Sequence, residues 1–271
     1  MIKRTSCNFS IEQICESGQC FRMTRIEENK YAVVAQGKYL ELEQKEEEII
    51  FHCSEDEYTH VWERYFDFNT DYKQFIESVT NKDEYLYRAV QFGKGIRILE
   101  QDIWEIIISF IISQQNNIKR IRKCIETLCE TYGEKKYTAE GKLYYDFPTV
   151  SALANATEEE LRACNLGYRS KYIVNTANSI KRNEVDLESL KCMSYRAARE
   201  TLMRLSGIGE KVADCICLFS LHHLDTFPVD THIRKVLEQY YPKGFPYDTY
   251  MGYNGIIQQY IFYYDLKGGD R

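Results

Sequence analysis

The chain has 271 residues and carries 35 basic and 41 acidic side chains, which gives a formal net charge of −6. Its 44% hydrophobic and 14% aromatic content excludes a disordered or collagen-like chain. The acidic balance argues against a protein that lies on nucleic acid through a broad basic face. At roughly 100–200 residues per domain, the length favours two domains.

The cysteines and the N-terminus predict a cytoplasmic location. The ten cysteines include no C-x-x-C pair and match no disulfide or zinc framework. Residues 1–20 lack the apolar stretch of a signal peptide, and the apolar run at 106–112 is too short to span a bilayer. We therefore expect a protein of a reducing compartment with no contact with membranes.

The first third of the chain has a mixed pattern. Residues 31–36 and 38–44 predict two strands joined at Gly37, and residues 48–53 predict a third. Apolar residues at helical spacing follow at 57–68 and 72–79. This combination predicts an N-terminal α+β domain with a small antiparallel sheet.

From Asp102 onward the pattern becomes almost purely helical. Asp102 is a candidate N-cap for a helix that is apolar nearly all round (WEIIISFIIS), which predicts a buried central helix. Further helices are predicted at 117–132, 157–164, 170–182, 195–205, 210–221, 230–240 and 255–266. With a junction at 92–95, we expect the α+β domain at 1–95 and a mainly α-helical region at 96–271.

The charge is divided unequally between these two parts. Residues 1–95 contain 12 basic and 18 acidic side chains, which gives −6, whereas the remaining 176 residues contain 23 of each. Residues 162–211 contain 10 basic and 5 acidic side chains, which gives +5. A local positive surface therefore survives within the acidic chain, and it is a candidate for binding a phosphate backbone.

The chemistry-bearing residues lie around a turn between two predicted helices. Gly207 and Gly209 lie in this turn, where glycine permits close approach of a partner and free N–H groups at the following helix suit a phosphate. Lys211 lies in the first turn of the second helix, and Asp230 begins another helix nineteen residues later. Taken alone, Lys211 could be an ordinary exposed lysine and Asp230 an ordinary N-cap.

Four segments together resemble one family. Residues 205–233 (LSGIGEKVADCICLFSLHHLDTFPVDTHI) are similar to the hairpin and aspartate signature of the helix-hairpin-helix DNA glycosylases. Residues 18–22 (GQCFR), 109–121 (SFIISQQNNIKRI) and 166–172 (LGYRSKY) resemble the G-Q-x-F-R, S-F-I-x-S-x-N-N-I-x-R-I and L-G-Y-R-x-x-Y segments of the 8-oxoguanine DNA glycosylase/lyase branch. Four matches in the same order cover nearly the whole chain.

The resemblance implies a bifunctional base-excision-repair enzyme that flips 8-oxoguanine out of duplex DNA. Such an enzyme would be a monomer in a compartment with access to DNA, which is the nucleoid if the protein is bacterial. Lys211 would attack C1′ of the damaged nucleotide, expel the base and form a Schiff base, which permits β-elimination of the strand. Asp230 would stabilise the oxocarbenium-like sugar. A permanent ion pair would hold the lysine in its charged, unreactive form, so we expect Asp230 not to clamp Lys211.

The resemblance also implies a base pocket. The Gly18 carbonyl would accept a hydrogen bond from N7–H, which 8-oxoguanine has and guanine lacks. Gln258 would hydrogen-bond the Watson–Crick edge, and Phe262 would stack on the base opposite Cys215. Cys215 could equally be a buried helical cysteine, and Gln258 and Phe262 could belong to an ordinary amphipathic helix.

Opposite the extruded base, Tyr168 would wedge into the stack, while Arg120 and Arg169 would contact the estranged cytosine. Gln115, next to Asn116, stands where the family usually has a hole-filling Asn, so we question the preference for cytosine. The backbone would be anchored by His232 and by the hairpin at Gly207 and Gly209. The hairpin carbonyls could hold a cation, but no other cofactor or metal is expected.

Three alternatives stay open. A non-catalytic helix-hairpin-helix module would bind DNA without a covalent intermediate and would leave Lys211 and Asp230 unexplained. The iron–sulfur branch needs a C-terminal four-cysteine motif, and no cysteine follows Cys217 in these residues. A glycosylase for a different damaged base is the third, although the monofunctional alkylbase enzymes usually lack a lysine at the Lys211 position.

Overall fold

The computed structural model describes residues 1–268. Its strands are β1 (Ile2–Thr5), β2 (Met23–Glu27), β3 (Lys30–Ala35), β4 (Lys38–Lys45), β5 (Glu48–Phe51), β6 (Lys135–Tyr137) and β7 (Leu143–Tyr145). The α-helices are α1 (Ile11–Glu16), α2 (Glu55–Glu57), α3 (Glu63–Tyr65), α4 (Tyr72–Ser78), α5 (Glu84–Gly93), α6 (Ile103–Ser113), α7 (Ile118–Tyr132), α8 (Val150–Asn155), α9 (Glu158–Ala163), α10 (Arg169–Lys181), α11 (Leu187–Leu190), α12 (Tyr195–Leu202), α13 (Glu210–Phe219), α14 (Thr231–Tyr240) and α15 (Asn254–Tyr263). Two π-helical segments (Tyr58–Trp62 and Tyr264–Gly268) and one 3-10 segment (Tyr247–Tyr250) complete the description.

The N-terminal sheet is antiparallel, in the order β1-β5-β4-β3-β2. The three strands predicted from the sequence are confirmed as β3, β4 and β5. Gln36 and Gly37 link β3 to β4 with φ angles of +50° and +73°, and positive φ at both central residues is what a tight hairpin requires. β1 and β2 are short and mostly exposed, so they lack the apolar alternation by which a strand can be predicted.

The helical region is built around α6. Nine of its eleven residues are buried, as the apolar sequence predicts for a central helix. Asp102 caps it, because the Glu105 amide donates a 2.9 Å hydrogen bond to Asp102 Oδ1. α6 packs against α7, α10 and α13, so the element that carries Lys211 rests directly on the buried helix.

Residues 135–145 are an exception within the mainly helical region after Asp102. There β6 and β7 pair antiparallel, with Lys135 opposite Tyr145 and Tyr137 opposite Leu143. Three-residue strands are too short to show a period of two, which is why the sequence does not reveal them. Within residues 1–268, no helix has the length and apolarity needed to cross a membrane.

The G-Q-x-F-R segment joins the N-terminal residues to the start of α6. Gln19 is fully buried; it donates to the Arg97 carbonyl at 2.9 Å and accepts from the Leu99 amide at 2.8 Å. Arg22 forms an ion pair with Glu105 at 3.3 Å, with both side chains largely buried. Because buried polar groups are costly when unpaired, these bonds fix the segment in place, and with it the adjacent Gly18.

The predicted boundary at residue 95 stays a prediction. α5, which precedes it, packs on α15, and Leu86 and Val90 of α5 belong to the same apolar core as α6. The N-terminal sheet has a separate core that includes Trp62 and Tyr65. The last three residues of the predicted 96–271 region lie outside the described residues.

A buried contact between the two parts predicts a pH dependence of stability. His222 Nε2 lies 3.2 Å from Asp67 Oδ2. Burial opposes the charged imidazole, but the Asp67 carboxylate outweighs it and raises the pKa of His222. The contribution of this contact to stability is therefore complete below the pKa of His222 in the unfolded chain, near 6.5. It is lost as the pH rises through the pKa of His222 in the folded protein.

We expect His222→Asn to be less stable than the native chain by about 1–2 kcal/mol at pH 6, and by less at pH 8. Asn tolerates the φ of +57° at this position. Urea unfolding of both proteins across this range measures the difference, with exposed His60→Asn as the matched control. A difference that stays constant with pH would show that the His222 charge contributes nothing.

Candidate active site

The predicted hairpin joins α12 to α13, and contacts with Tyr172 and Gln114 fix its backbone. Gly207 has a φ of +79°, and a methyl group added there would lie 2.6 Å from Tyr172 Cγ, so only glycine fits. The Gln114 side chain donates to the Gly207 carbonyl at 2.8 Å. Gly209 is exposed and has no atom within 4 Å of an added methyl group, so the backbone at the N-terminus of α13 is open to a partner.

All six residues predicted for catalysis and the base pocket line one cavity. Its volume is about 40 Å³. The six residues are Gly18, Lys211, Cys215, Asp230, Gln258 and Phe262, and the remaining lining residues are Phe110, Phe219, Pro228 and Gln259. Residues from the two ends of the chain therefore meet at the side chains of α13 and the start of α14.

Lys211 is half-buried against aromatic rings. Its Nζ lies 5.3 Å from the centroid of Phe110, which stacks on Phe219 with centroids 5.6 Å apart. In the part of the chain that the structure describes, Lys211 forms no ion pair within 4.0 Å. This agrees with the expectation that Asp230 does not clamp it, and it leaves the amine facing the cavity.

Asp230 is both a helix cap and a cavity residue. The Ile233 amide donates a 2.8 Å hydrogen bond to Asp230 Oδ1, which caps α14. This bond fixes the orientation of the half-buried carboxylate. The two interpretations of Asp230 in the sequence are thus compatible, since the capping bond holds the carboxylate at the cavity wall.

Cys215 forms an apolar wall beside Lys211. Burial raises the pKa of the Cys215 thiol to about 11, while the neighbouring Lys211 charge opposes that shift. The thiol therefore stays protonated at neutral pH. It acts in the wall of the cavity as a small polarisable group rather than as a thiolate.

The opposite wall closes the cavity. Gly18 has a φ of +76°, and a methyl group added there would lie 3.1 Å from Phe262 Cε1. The Phe262 ring also meets the His232 ring edge-on, with centroids 5.8 Å apart. His232 Nδ1 lies 2.7 Å from Asp265 Oδ2, so this side of His232 is paired within the chain and its contact with a phosphate stays a prediction.

Most of the residues predicted for the opposite strand lie at the surface. Tyr168 is 44% exposed and packs edge-on against Tyr172. Gln115 and Arg120 are exposed, and Gln115 has a φ of +48°. Asn116 instead donates to the Ile112 carbonyl at 3.1 Å, so its side chain ends α6.

Arg169 is placed differently from the others. Only 4% of it is exposed, and it donates to the Gln114 carbonyl at 3.0 Å and to the Gln115 carbonyl at 3.2 Å. Its guanidinium therefore holds the segment that carries Gln115. Direct contact between Arg169 and cytosine stays a prediction.

Four lining residues were not predicted. Phe110 lies within the matched segment 109–121, and Pro228 lies within the matched segment 205–233, so their motifs carried a signal. Phe219 sits one turn beyond Cys215 on the same helix face. Gln259 directly follows Gln258, and a second glutamine next to a predicted pocket residue is the signal that could have identified it as a lining residue.

Comparison with known proteins identifies the family. Residues 1–107 match "8-oxoguanine DNA glycosylase, N-terminal domain", and residues 108–244 match "HhH-GPD superfamily base excision DNA repair protein". The chain belongs to the 8-oxoguanine DNA glycosylase family. The resemblance inferred from four motifs is thereby confirmed, as is the α+β and helical fold class.

Relatives of this family share the whole fold. The Clostridium acetobutylicum 8-oxoguanine glycosylase/lyase, solved with double-stranded DNA containing cytosine opposite 8-oxoG, has a TM-score of 0.90 and 35% identity, covering 99% of this chain and 98% of that one. The N-glycosylase/DNA lyase of Saccharomyces cerevisiae is 37% identical over 194 residues, or 68% of this chain. The Arabidopsis thaliana N-glycosylase/DNA lyase OGG1 is 36% identical over 166 residues, or 59% of this chain. The matches span 51% and 45% of these two curated relatives.

Proposed function

We propose that the protein is a bifunctional DNA glycosylase that excises 8-oxoguanine from duplex DNA and then cleaves the strand. The observation that carries this proposal is the meeting of the Lys211 amine and the Asp230 carboxylate in one aromatic cavity beside the hairpin. A non-catalytic DNA-binding module has no need for this pair. Family membership and the Clostridium acetobutylicum relative support the choice of base and of duplex DNA as partner.

The proposed chemistry follows from the two side chains. The neutral Lys211 amine attacks C1′ while the bond from C1′ to the base breaks, and the electron pair of that bond leaves with the base. Positive charge develops on the sugar, and the fixed Asp230 carboxylate stabilises it. The C1′ nitrogen then loses a proton and forms the C=N bond of the Schiff base, while the C1′–O4′ bond breaks and its electron pair goes to O4′, which takes up a proton as the sugar ring opens. Loss of a C2′ proton expels the 3′ phosphate and nicks the strand.

The cavity must open to accept a base. Its volume of about 40 Å³ can hold water but is far too small for a purine. Since Phe262 touches Gly18, displacement of its ring is the simplest opening. The flipped base would then lie between Phe262 and Cys215.

Incubation with duplexes containing 8-oxoguanine tests the proposal. We expect release of the base, a nick on its 3′ side, and a covalent complex when borohydride reduces the Schiff base. DNA binding without release or trapping would instead favour the non-catalytic module. Release of another damaged base, with 8-oxoguanine left intact, would favour a glycosylase of different specificity.

Gln115 provides a separate prediction about the opposite base. Its side chain is longer than the Asn usual in the family. We expect the native protein to excise 8-oxoguanine faster opposite cytosine than opposite the other bases, and we expect Gln115→Asn to increase this preference by about threefold to tenfold. Excision rates opposite cytosine, adenine, guanine and thymine measure this. Equal rates opposite all four bases, in both proteins, would show that Gln115 plays no part in the choice of partner base.

The proposal calls for no cofactor, since an amine and a carboxylate supply the chemistry. We also propose that the protein acts as a monomer. All ten cysteines are unpaired thiols, which suits the reducing cytoplasm that we propose as its compartment.

A further inference from the structure

The turn that carries Gly18 follows a short helix whose C-terminus has no positive side chain of its own. α1 ends at Glu16, and its last turn contains no basic residue. The last carbonyls of a helix have no partner within it, and the helix dipole makes this end attractive to a cation. The Ile14 carbonyl accepts a 2.8 Å hydrogen bond from the Ser17 hydroxyl. The Cys15 carbonyl needs a donor from another part of the chain.

Arg122 of α7 supplies that donor. Its Nη2 donates a 2.6 Å hydrogen bond to the Cys15 carbonyl. Arg122 lies in a basic stretch, KRIRK at 119–123, of a kind that also suits a phosphate backbone. Its neighbours Arg120 and Lys123 are exposed, whereas Arg122 is half-buried and, among residues 1–268, forms no ion pair within 4.0 Å. The Arg122 guanidinium is therefore turned toward the end of α1.

The same face of α7 also reaches Gly18. Ile118 lies four residues before Arg122, and side chains four residues apart share one face of a helix. Ile118 Cδ1 is 3.9 Å from the position that a methyl group on Gly18 would take, and Phe262 Cε1 is 3.1 Å from that position. The turn therefore contacts both α7 and the Phe262 ring.

The contacts with α7 become important when a base enters the cavity. The proposed opening displaces the Phe262 ring, and the turn then loses its contact with that ring. The buried Gln19 anchors the chain after Gly18, and the Arg122 hydrogen bond anchors the chain before it. A hydrogen bond weakens steeply once its heavy atoms leave the range of about 2.7–3.2 Å. The Gly18 carbonyl can therefore select N7–H only if both anchors hold the turn in place.

We propose that Arg122 is a positioning residue that holds the last turn of α1, and with it the Gly18 carbonyl, where this carbonyl accepts N7–H of the lesion. The inference rests on the proposed function and deepens it, because the choice of 8-oxoguanine over guanine then depends on a residue of α7 that does not line the cavity. Without Arg122, the Cys15 carbonyl turns toward water and the Gly18 carbonyl shifts with it. The loss falls on the lesion, since guanine has no proton at N7 to donate.

DNA binding by Lys211→Gln, which cannot attack the sugar, tests the inference. Three duplexes are compared, which contain 8-oxoguanine, guanine or tetrahydrofuran (an abasic-site analogue without a base) opposite cytosine. When Arg122→Met is added to Lys211→Gln, we expect the preference for 8-oxoguanine over guanine to fall about tenfold and the preference for tetrahydrofuran over guanine to stay unchanged. Lys123→Met is the matched control, because it removes the same charge from the same helix. We expect it to leave both preferences unchanged.

A second measurement separates positioning from folding. With Lys211 intact, Arg122→Met should excise 8-oxoguanine about tenfold more slowly than the native protein but nick a preformed abasic site at the native rate, because that site has no base. Arg122→Leu takes its place should Arg122→Met not fold. An equal loss of affinity for all three duplexes would overturn the inference, and so would nicking that slows as much as excision does. If Lys211→Gln with Arg122 intact binds 8-oxoguanine no better than guanine, the proposed function itself is overturned, and this inference with it.

Discussion

Lys211→Gln should abolish the covalent intermediate. The side chain keeps most of its length and polarity but has no nucleophilic amine, so we expect borohydride trapping on 8-oxoguanine duplexes to disappear. Base excision should fall by about 10⁴-fold or more, the order seen when a nucleophile is removed from an enzyme. Gel-based trapping and single-turnover rates measure the two effects.

The same variant should stay folded and bind DNA. Lys211 forms no ion pair in the described residues, and the contact of a half-buried lysine with the Phe110 ring is worth only about 0.5–2 kcal/mol. Lys73→Gln is the matched control. Lys73 also lies in the first turn of a helix, but it is exposed and is distant along the sequence from the cavity residues. Undiminished trapping by Lys211→Gln would mean that another amine attacks the sugar.

Much of the fold follows from local sequence. The apolar run after Asp102 predicts α6 because it is apolar on all sides, and the alternation at 31–36 and 38–44 predicts β3 and β4 because one face of the sheet is buried. The short strands β6 and β7 carry neither signal. They pair across a turn in which Gly141 has a φ of +84°.

The parts of the candidate site whose residues lie within a sequence motif were predictable. Lys211 and Asp230 lie within one matched segment, so their meeting in the cavity follows from the motif. The contact between Gly18 and Phe262 joins opposite ends of the chain, and no local pattern encodes it; only the family resemblance pointed to both residues.

Side-chain partners were beyond the reach of the sequence. Arg169 is a basic residue in a basic stretch, and its sequence position suits either DNA or the protein interior. The structure buries it against the Gln114 and Gln115 carbonyls, because those two carbonyls lie where α6 ends and have no helical partner of their own. Such a pairing depends on how two distant helices pack, which periodicity does not specify.

Asp230→Asn separates the two roles of Asp230. Asn caps helices as well as Asp does, so the variant should keep the hydrogen bond from the Ile233 amide and its native stability. It loses the negative charge that faces the developing positive charge on the sugar. We expect excision of 8-oxoguanine to fall by about 10²–10³-fold, the order seen when one preorganised electrostatic contact is removed.

Comparison with Asp230→Ala, which loses both the negative charge and the cap of α14, shows which of the two roles excision requires. We expect Asp230→Ala to be less stable than Asp230→Asn by about 1 kcal/mol, and to excise the base as slowly as Asp230→Asn does. Cleavage of preformed abasic sites should fall less in both variants, because no bond to a base has to break. If Asp230→Asn excises at the native rate and only Asp230→Ala is impaired, the carboxylate serves α14 alone, and its charge does not stabilise the sugar.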